Sequence, residues 1–224
     1  MSGRASQLVR LGVLLSGRGS NLQAIIDAIE GGDLSAEIAV VVSNKPEAAG
    51  LERARKHGVP VVWLDPKPFA GRPDSREAYD RAMLDVLRKY EVDLVLLAGY
   101  MKIVTAVLVA AYENRMMNIH PSLLPSFPGL DVQKKAIEHG CKIAGCTVHF
   151  VTEGVDEGPI IVQAAVPIVE GDTADALAAR ILEQEHRIYP HAIQLYAEGR
   201  LRVEGRRVMV AEAGPPMGGF HNPV

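Results

Sequence analysis

The stretch Val9–Ile26 reads VRLGVLLSGRGSNLQAII, and its reading decides the fold. Val9 to Leu15 is a nearly unbroken apolar run, the pattern of a strand buried on both faces. From Ser20 the apolar residues return at helical spacing, which predicts a helix over Ser20–Glu30. Between them Gly17 and Gly19 let the backbone turn tightly, and Ser20 and Asn21 can cap the helix. A strand, a glycine turn and a helix open a βαβ unit.

The same alternation continues downstream. Ile38–Ser43, Val59–Leu64, Leu94–Ala98 and Met116–Ile119 read as strands. Ala48–His57, Asp74–Tyr90 and Val104–Tyr112 read as helices. The expected fold is therefore α/β: an open, mostly parallel twisted sheet with helices on both faces, joined by right-handed crossovers. After residue 140 the pattern changes. Lys142–Val151 and Ile160–Val169 are strand-like, with an acidic, Gly-containing turn between them, and are expected to pair as an antiparallel hairpin on the sheet edge. Thr173–Tyr196 is expected as a long helix interrupted near Pro190, and Arg200–Val210 as a final hairpin or strand. One domain over residues 9–205 is expected, followed by a loose, Pro- and Gly-containing tail over 211–224. The long loop DPKPFAGRPDS, 65–75, is expected to be functional or mobile.

The chain has 224 residues, 48% of them hydrophobic, and a formal charge of −3. That supports a sizeable core and argues against a dedicated nucleic-acid binder, which needs clustered Lys and Arg. No apolar run approaches the roughly 20 residues that span a bilayer, so no membrane partner is expected. MSGRASQLVR lacks the apolar core of a signal peptide, which leaves a cytoplasmic location as the default. Cys141 and Cys146 form no CxxC pair; reduced thiols are expected, and no metal site. Monomer and homodimer both stay open.

The glycine turn has two readings. A helix N-terminus with free N–H groups suits a phosphate. The third Gly of a dinucleotide fingerprint would fall at Leu22, and no Gly-Lys-Ser/Thr follows, so neither nucleotide-loop motif is present. A plain capped turn is the other reading.

Asn118–Gly129 reads NIHPSLLPSFPG. On a strand Asn118 and His120 point the same way, at the carboxyl end where α/β sheets bind ligands. Pro121, Pro125 and Pro128 lower the freedom of the loop that follows, so little entropy is lost when it is ordered around a ligand. Asp156 lies between Gly154 and Gly158, before a strand. Taken singly, a hydrogen-bonded strand end and a solvated acidic turn explain these residues as well. Together Asn, His and Asp suit addition to a carbonyl: Asn and His donate to a developing oxyanion, and Asp raises the imidazole pKa and orients the ring. No nucleophile is obviously poised, so direct transfer between two bound substrates is expected.

In combination, LLSGRGSNLQAII, LAGYMKIV, NIHPSLLPSFPG, TVHFVTEGVDEGPIIVQ and QEHRIYP resemble the formyltransferase family, in its phosphoribosylglycinamide formyltransferase branch, over roughly Leu11 to Val203. The resemblance implies a Rossmann-like formyltransferase fold and transfer of a formyl group from 10-formyltetrahydrofolate to glycinamide ribonucleotide. It implies that the N-terminal half binds ribonucleotide and the C-terminal half helps to hold folate. Gly19, Ser20 and Asn21 would hold the phosphate, Glu185 the ribose, and Pro121 would line the ribonucleotide pocket. Arg76, Leu97, Met101, Lys102, Ile103, Val104, Val151 and Val155 would contact folate, a co-substrate. Asn118, His120 and Asp156 would be catalytic. Departures from the family pattern fall at Lys102, Asp131, Gln133 and Glu157. A tRNA formyltransferase or a formyltetrahydrofolate deformylase on the same core would be expected to carry a further domain, and a sugar-phosphate binding module would need the glycine loop but not the trio.

Overall fold

The computed structural model describes residues 8–211. The chain forms two compact units, with the division between Met116 and Met117.

In the first unit the expected alternation appears as β1 (Val9–Leu15), α1 (Ser20–Glu30), β2 (Ala36–Ser43), α2 (Ala49–Lys56), β3 (Val61–Trp63), α3 (Ser75–Lys89), β4 (Leu94–Leu97) and α4 (Ala106–Ala111). The strands run parallel in the order β3-β2-β1-β4. Leu11, Val13, Leu14 and Leu15 of β1 are buried, as a central strand covered on both faces requires. The order steps outward from β1 through β2 to β3, then returns to the other side of β1 with β4. Right-handed crossovers thus place α1 and α2 on one face and α3 and α4 on the other. The reversal between β1 and β4 is a topological switch point, where the carboxyl ends of adjacent strands leave a crevice. The loop over 65–75 carries a short 3-10 turn, Lys67–Phe69, which the sequence pattern did not suggest.

The second unit follows β5 (Met116–His120) with α5 (Val132–Glu138), β6 (Ile143–Phe150), β7 (Ile160–Pro167), α6 (Ala174–Ala197), β8 (Leu201–Glu204) and β9 (Arg207–Val210). Its strands are ordered β5-β6-β7-β9-β8. β5/β6, β6/β7 and β8/β9 are antiparallel, while β7/β9 is parallel. The α/β class with antiparallel strands at the C-terminal edge is as expected, with two corrections. The β6–β7 hairpin is not at the edge, because the β8–β9 ribbon pairs along β7. α6 is not interrupted: Pro190 sits inside one continuous helix. Its missing N–H removes a single rung, and Tyr189, Ala192 and Ile193, all fully buried beside it, hold the helix through that rung. α5 was not anticipated; it starts from Asp131 in the left-handed region, at φ 57°. The expected loose tail lies outside the described residues but for Ala211. No helix among the described residues is long and apolar enough to cross a membrane.

Candidate active site

At the switch point of the first unit, two loops are stitched together. Ala98 N donates to Leu14 O (2.9 Å) and Ser16 N to Gly99 O (3.0 Å). The Ser16 hydroxyl donates to Asn44 Oδ1 (2.6 Å) and accepts from Met101 N (2.8 Å). Gly19 takes the cap position of α1 at φ 72°, and no side chain caps the helix there, which corrects the expectation for Ser20 and Asn21. A Cβ on Gly19 would stand 2.6 Å from the Cα of Gly50, so glycine is needed for close approach as well as for the turn. Gly50 N donates to Gly17 O (3.0 Å), and Arg53 Nε donates to Arg18 O (2.9 Å). The loop is thereby fixed from α2. Ser20 is half-buried and Asn21 buried.

Of the expected folate contacts in this unit, Arg76, Met101, Lys102 and Ile103 line one cavity of about 270 Å³, together with Tyr79 and Asp80. Met101 and Ile103 are exposed, at 64% and 57%, in a segment held by its backbone. Tyr79 and Asp80 were missed, and both are explained by α3 spacing: they follow Arg76 by about one turn. Lys102 Nζ lies 4.8 Å from the Tyr79 ring centroid, a cation–π contact. Asp80 accepts from Thr105 N at 2.6 Å, and burial raises its pKa. Leu97 and Val104 are buried and do not line this cavity.

The trio lies wholly in the second unit. β5 pairs Asn118 with His149 of β6, and His120 with Thr147; β6 in turn pairs Thr147 with Gln163 of β7. Because alternate residues share a face, these polar side chains form one patch across three strands. Asp156 reaches it from the turn before β7, at φ 56°, a conformation that Asp tolerates better than most residues. A Cβ on Gly158 would overlap the Phe150 carbonyl, so glycine lets that turn pack against β6.

The distances bring together all three expected catalytic residues. His120 Nδ1 lies 3.3 Å from Asp156 Oδ2, and Asn118 Nδ2 lies 3.4 Å from Asp156 Oδ1. Gly129 N donates to Asp156 Oδ2 at 2.9 Å. His120 Nε2 lies 3.0 Å from the carbonyl oxygen of Phe127. The proline loop is tied down beneath. Thr147 Oγ1 donates to Ser122 O (2.6 Å) and accepts from Leu124 N (3.1 Å). Gln163 Nε2 donates to Leu124 O and to Thr147 Oγ1, both at 2.9 Å. Ser122 Oγ donates to Ser126 O (2.7 Å).

The charges differ in part from expectation. Burial pushes the His120 pKa down, and although the Phe127 carbonyl and the Asp156 carboxylate pull it up, the net shift is below 6.5. The expected rise is thus overturned by desolvation, since the ring is 5% exposed. Burial pushes Asp156 up, but the His149 ring, the Gly129 amide and the His120 ring outweigh it, so the carboxyl stays below its usual range. The resting pair is a carboxylate beside a neutral imidazole.

Glu185 of α6 is buried. Pro121 is half-buried and lines a cavity of about 100 Å³ under the proline loop. Val155 is exposed, next to Asp156 in its turn, and Val151 is half-buried just after β6. The sequence reading gave His149 no part, although it stands in the quoted TVHF and faces Asn118.

The chain is thus an α/β protein with a polar Asn-His-Asp cluster in its second unit and a glycine loop at the switch point of its first. The formyl transferase family model matches residues 9–193, and the chain belongs to that family. It is 46% identical over 207 residues to phosphoribosylglycinamide formyltransferase of Escherichia coli, covering 92% of this chain and 96% of that one. The solved structure of glycinamide ribonucleotide transformylase 1 from Symbiobacterium toebii matches with a TM-score of 0.88 and 54% identity, over 92% of this chain and 99% of that one. The trifunctional purine biosynthetic protein adenosine-3 of Drosophila melanogaster is 49% identical over 85% of this chain, which spans 14% of that longer protein.

Proposed function

We propose that this chain transfers the formyl group of 10-formyltetrahydrofolate to the amine of glycinamide ribonucleotide, an early step of purine biosynthesis, through a tetrahedral intermediate. The family and the end-to-end relatives support formyl transfer to that ribonucleotide. The observation that carries the chemistry is the convergence of Asn118, His120 and Asp156, with Asp156 3.3 Å from His120 and 3.4 Å from Asn118.

The substrate amine attacks the formyl carbon as its free base. The N–H groups of Asn118 and His120 receive the developing oxyanion. At rest His120 is neutral, yet both of its nitrogens face acceptors, Phe127 O and Asp156. A neutral ring can donate to only one of them. With Nδ1–H held by Asp156, Nε2 takes the proton that the attacking amine releases and from there donates to the oxyanion, while Asp156 holds the imidazolium. The formyl oxygen replaces the Phe127 carbonyl at Nε2, and the proton then passes to the folate nitrogen as that bond breaks. In the first unit Gly19, Ser20 and Asn21 take the phosphate at the α1 N-terminus, and Arg76, Leu97, Met101, Lys102, Ile103 and Val104 serve the folate. In the second, Pro121 and Glu185 serve the ribonucleotide, while Val151 and Val155 flank the folate. The test is a steady-state assay with both substrates, following absorbance of the deformylated folate. Ribonucleotide-dependent product supports the reading. No product where both ligands bind overturns it in favour of a binding module.

A further inference from the structure

His149 stands directly opposite Asn118 across β5 and β6 and is 2% exposed. Its Nδ1 lies 2.9 Å from the carbonyl oxygen of Phe150. A carbonyl only accepts, so Nδ1 carries the hydrogen. With that hydrogen on Nδ1, Nε2 is open to accept; it faces Asn118 Nδ2 at 3.2 Å, with Asp156 Oδ1 farther off at 3.7 Å. The same amide nitrogen faces Asp156 Oδ1 at 3.4 Å. Both neighbours of that nitrogen are acceptors. Flipping the amide would set its oxygen against a lone pair of His149 and against a carboxylate oxygen, so only one orientation is tolerated.

We propose that His149 is a positioning residue for formyl transfer. It holds the Asn118 side chain with the NH₂ group, not the carbonyl, turned toward the Asp156 side of the cluster, where the formyl oxygen is received. The Phe150 carbonyl fixes the tautomer of His149, His149 fixes the amide of Asn118, and the formyl oxygen takes over the Asn118 hydrogen that faces Asp156 Oδ1 at 3.4 Å in the free protein. One link is to a backbone carbonyl and the next joins residues paired directly across adjacent strands, so the amide is oriented before substrate arrives, and no reorganisation is needed in the transition state. This role rests on the catalytic reading of Asn118.

Two replacements separate the halves of the ring. In His149→Asn the short amide reproduces Nδ1–H toward Phe150 but does not reach Asn118. In His149→Gln the longer amide brings an acceptor to the place of Nε2. We expect His149→Asn to lower kcat about tenfold at unchanged KM, the low end for partners that orient a site group. His149→Gln should restore most of that rate. In an Asn118→Ala background neither change should lower turnover further. Equal losses in both backgrounds, equal rates for the Asn and Gln variants, or wild-type turnover of His149→Asn would each overturn the role of His149. Wild-type turnover of Asn118→Ala alone would overturn the catalytic reading of Asn118, and this role with it. Melting curves of each variant establish that the folded enzyme is being compared.

Discussion

His120 Nδ1 and Asp156 Oδ2 lie 3.3 Å apart although they come from elements 36 residues distant in sequence, one on β5 and one in the turn before β7. The pair is poised between two protonation states. Its geometry offers an acceptor to each ring nitrogen, which suits an imidazolium, while burial keeps the resting ring neutral. A pair in that condition takes up a proton readily when negative charge appears beside it.

Both pKa values fall on folding, so the unfolded chain binds protons more readily and acid favours unfolding. The His120 contribution is fully present above the unfolded value near 6.5 and is lost as pH falls through the lower folded pKa. The Asp156 contribution is present above 3.8 and is lost as pH falls through its own lower folded value. Melting temperatures from about pH 8 down to about pH 3 should therefore decline in two stages. His120→Asn should flatten the first stage and Asp156→Asn the second. A first stage unchanged in His120→Asn would show that the imidazole is not held neutral by burial.

Thr147 is fully buried and its hydroxyl bridges Ser122 O, Leu124 N and Gln163. Thr147→Val keeps the shape and strands those groups, which should cost about 1–3 kcal/mol in urea unfolding. Turnover should also fall, because the loop that presents the Phe127 carbonyl loses its tie. A variant as stable as wild type would mean that the network does not hold the loop.

Gly19 combines a left-handed φ of 72° with a close approach to Gly50. Gly19→Ala should destabilise by about 1–2 kcal/mol from the backbone alone. It should also raise KM for the ribonucleotide while leaving KM for the folate nearly unchanged. Equal rises in both KM values would contradict a phosphate role for this loop.

Much of the first unit was legible because buried parallel strands and amphipathic helices have different periods. The bounds of β1 and α1 read from the sequence are the observed ones. The shared face of Asn118 and His120 followed from strand alternation alone. Other features were not legible. The interior place of the β6–β7 hairpin depends on which strand pairs along β7, and pairing partners leave no local pattern. Pro190 reads as a helix break, whereas packing of Tyr189 and Ile193 overrides it. His149 sits in a run of strand formers and reads as one more core residue; its tie to Asn118 exists only through cross-strand register. The sign of the His120 shift was missed for a similar reason. A carboxylate neighbour can be guessed from sequence, but the depth of burial that outweighs it cannot.

The most direct measurement is turnover of His120→Ala and Asp156→Asn with saturating ribonucleotide and 10-formyl folate, alongside the melting temperature of each variant at neutral pH. Both variants should fold and lose at least about 10²-fold in kcat, the usual contribution of one oxyanion-stabilising group. Near-wild-type turnover of either folded variant would contradict the claim that this pair carries the transfer.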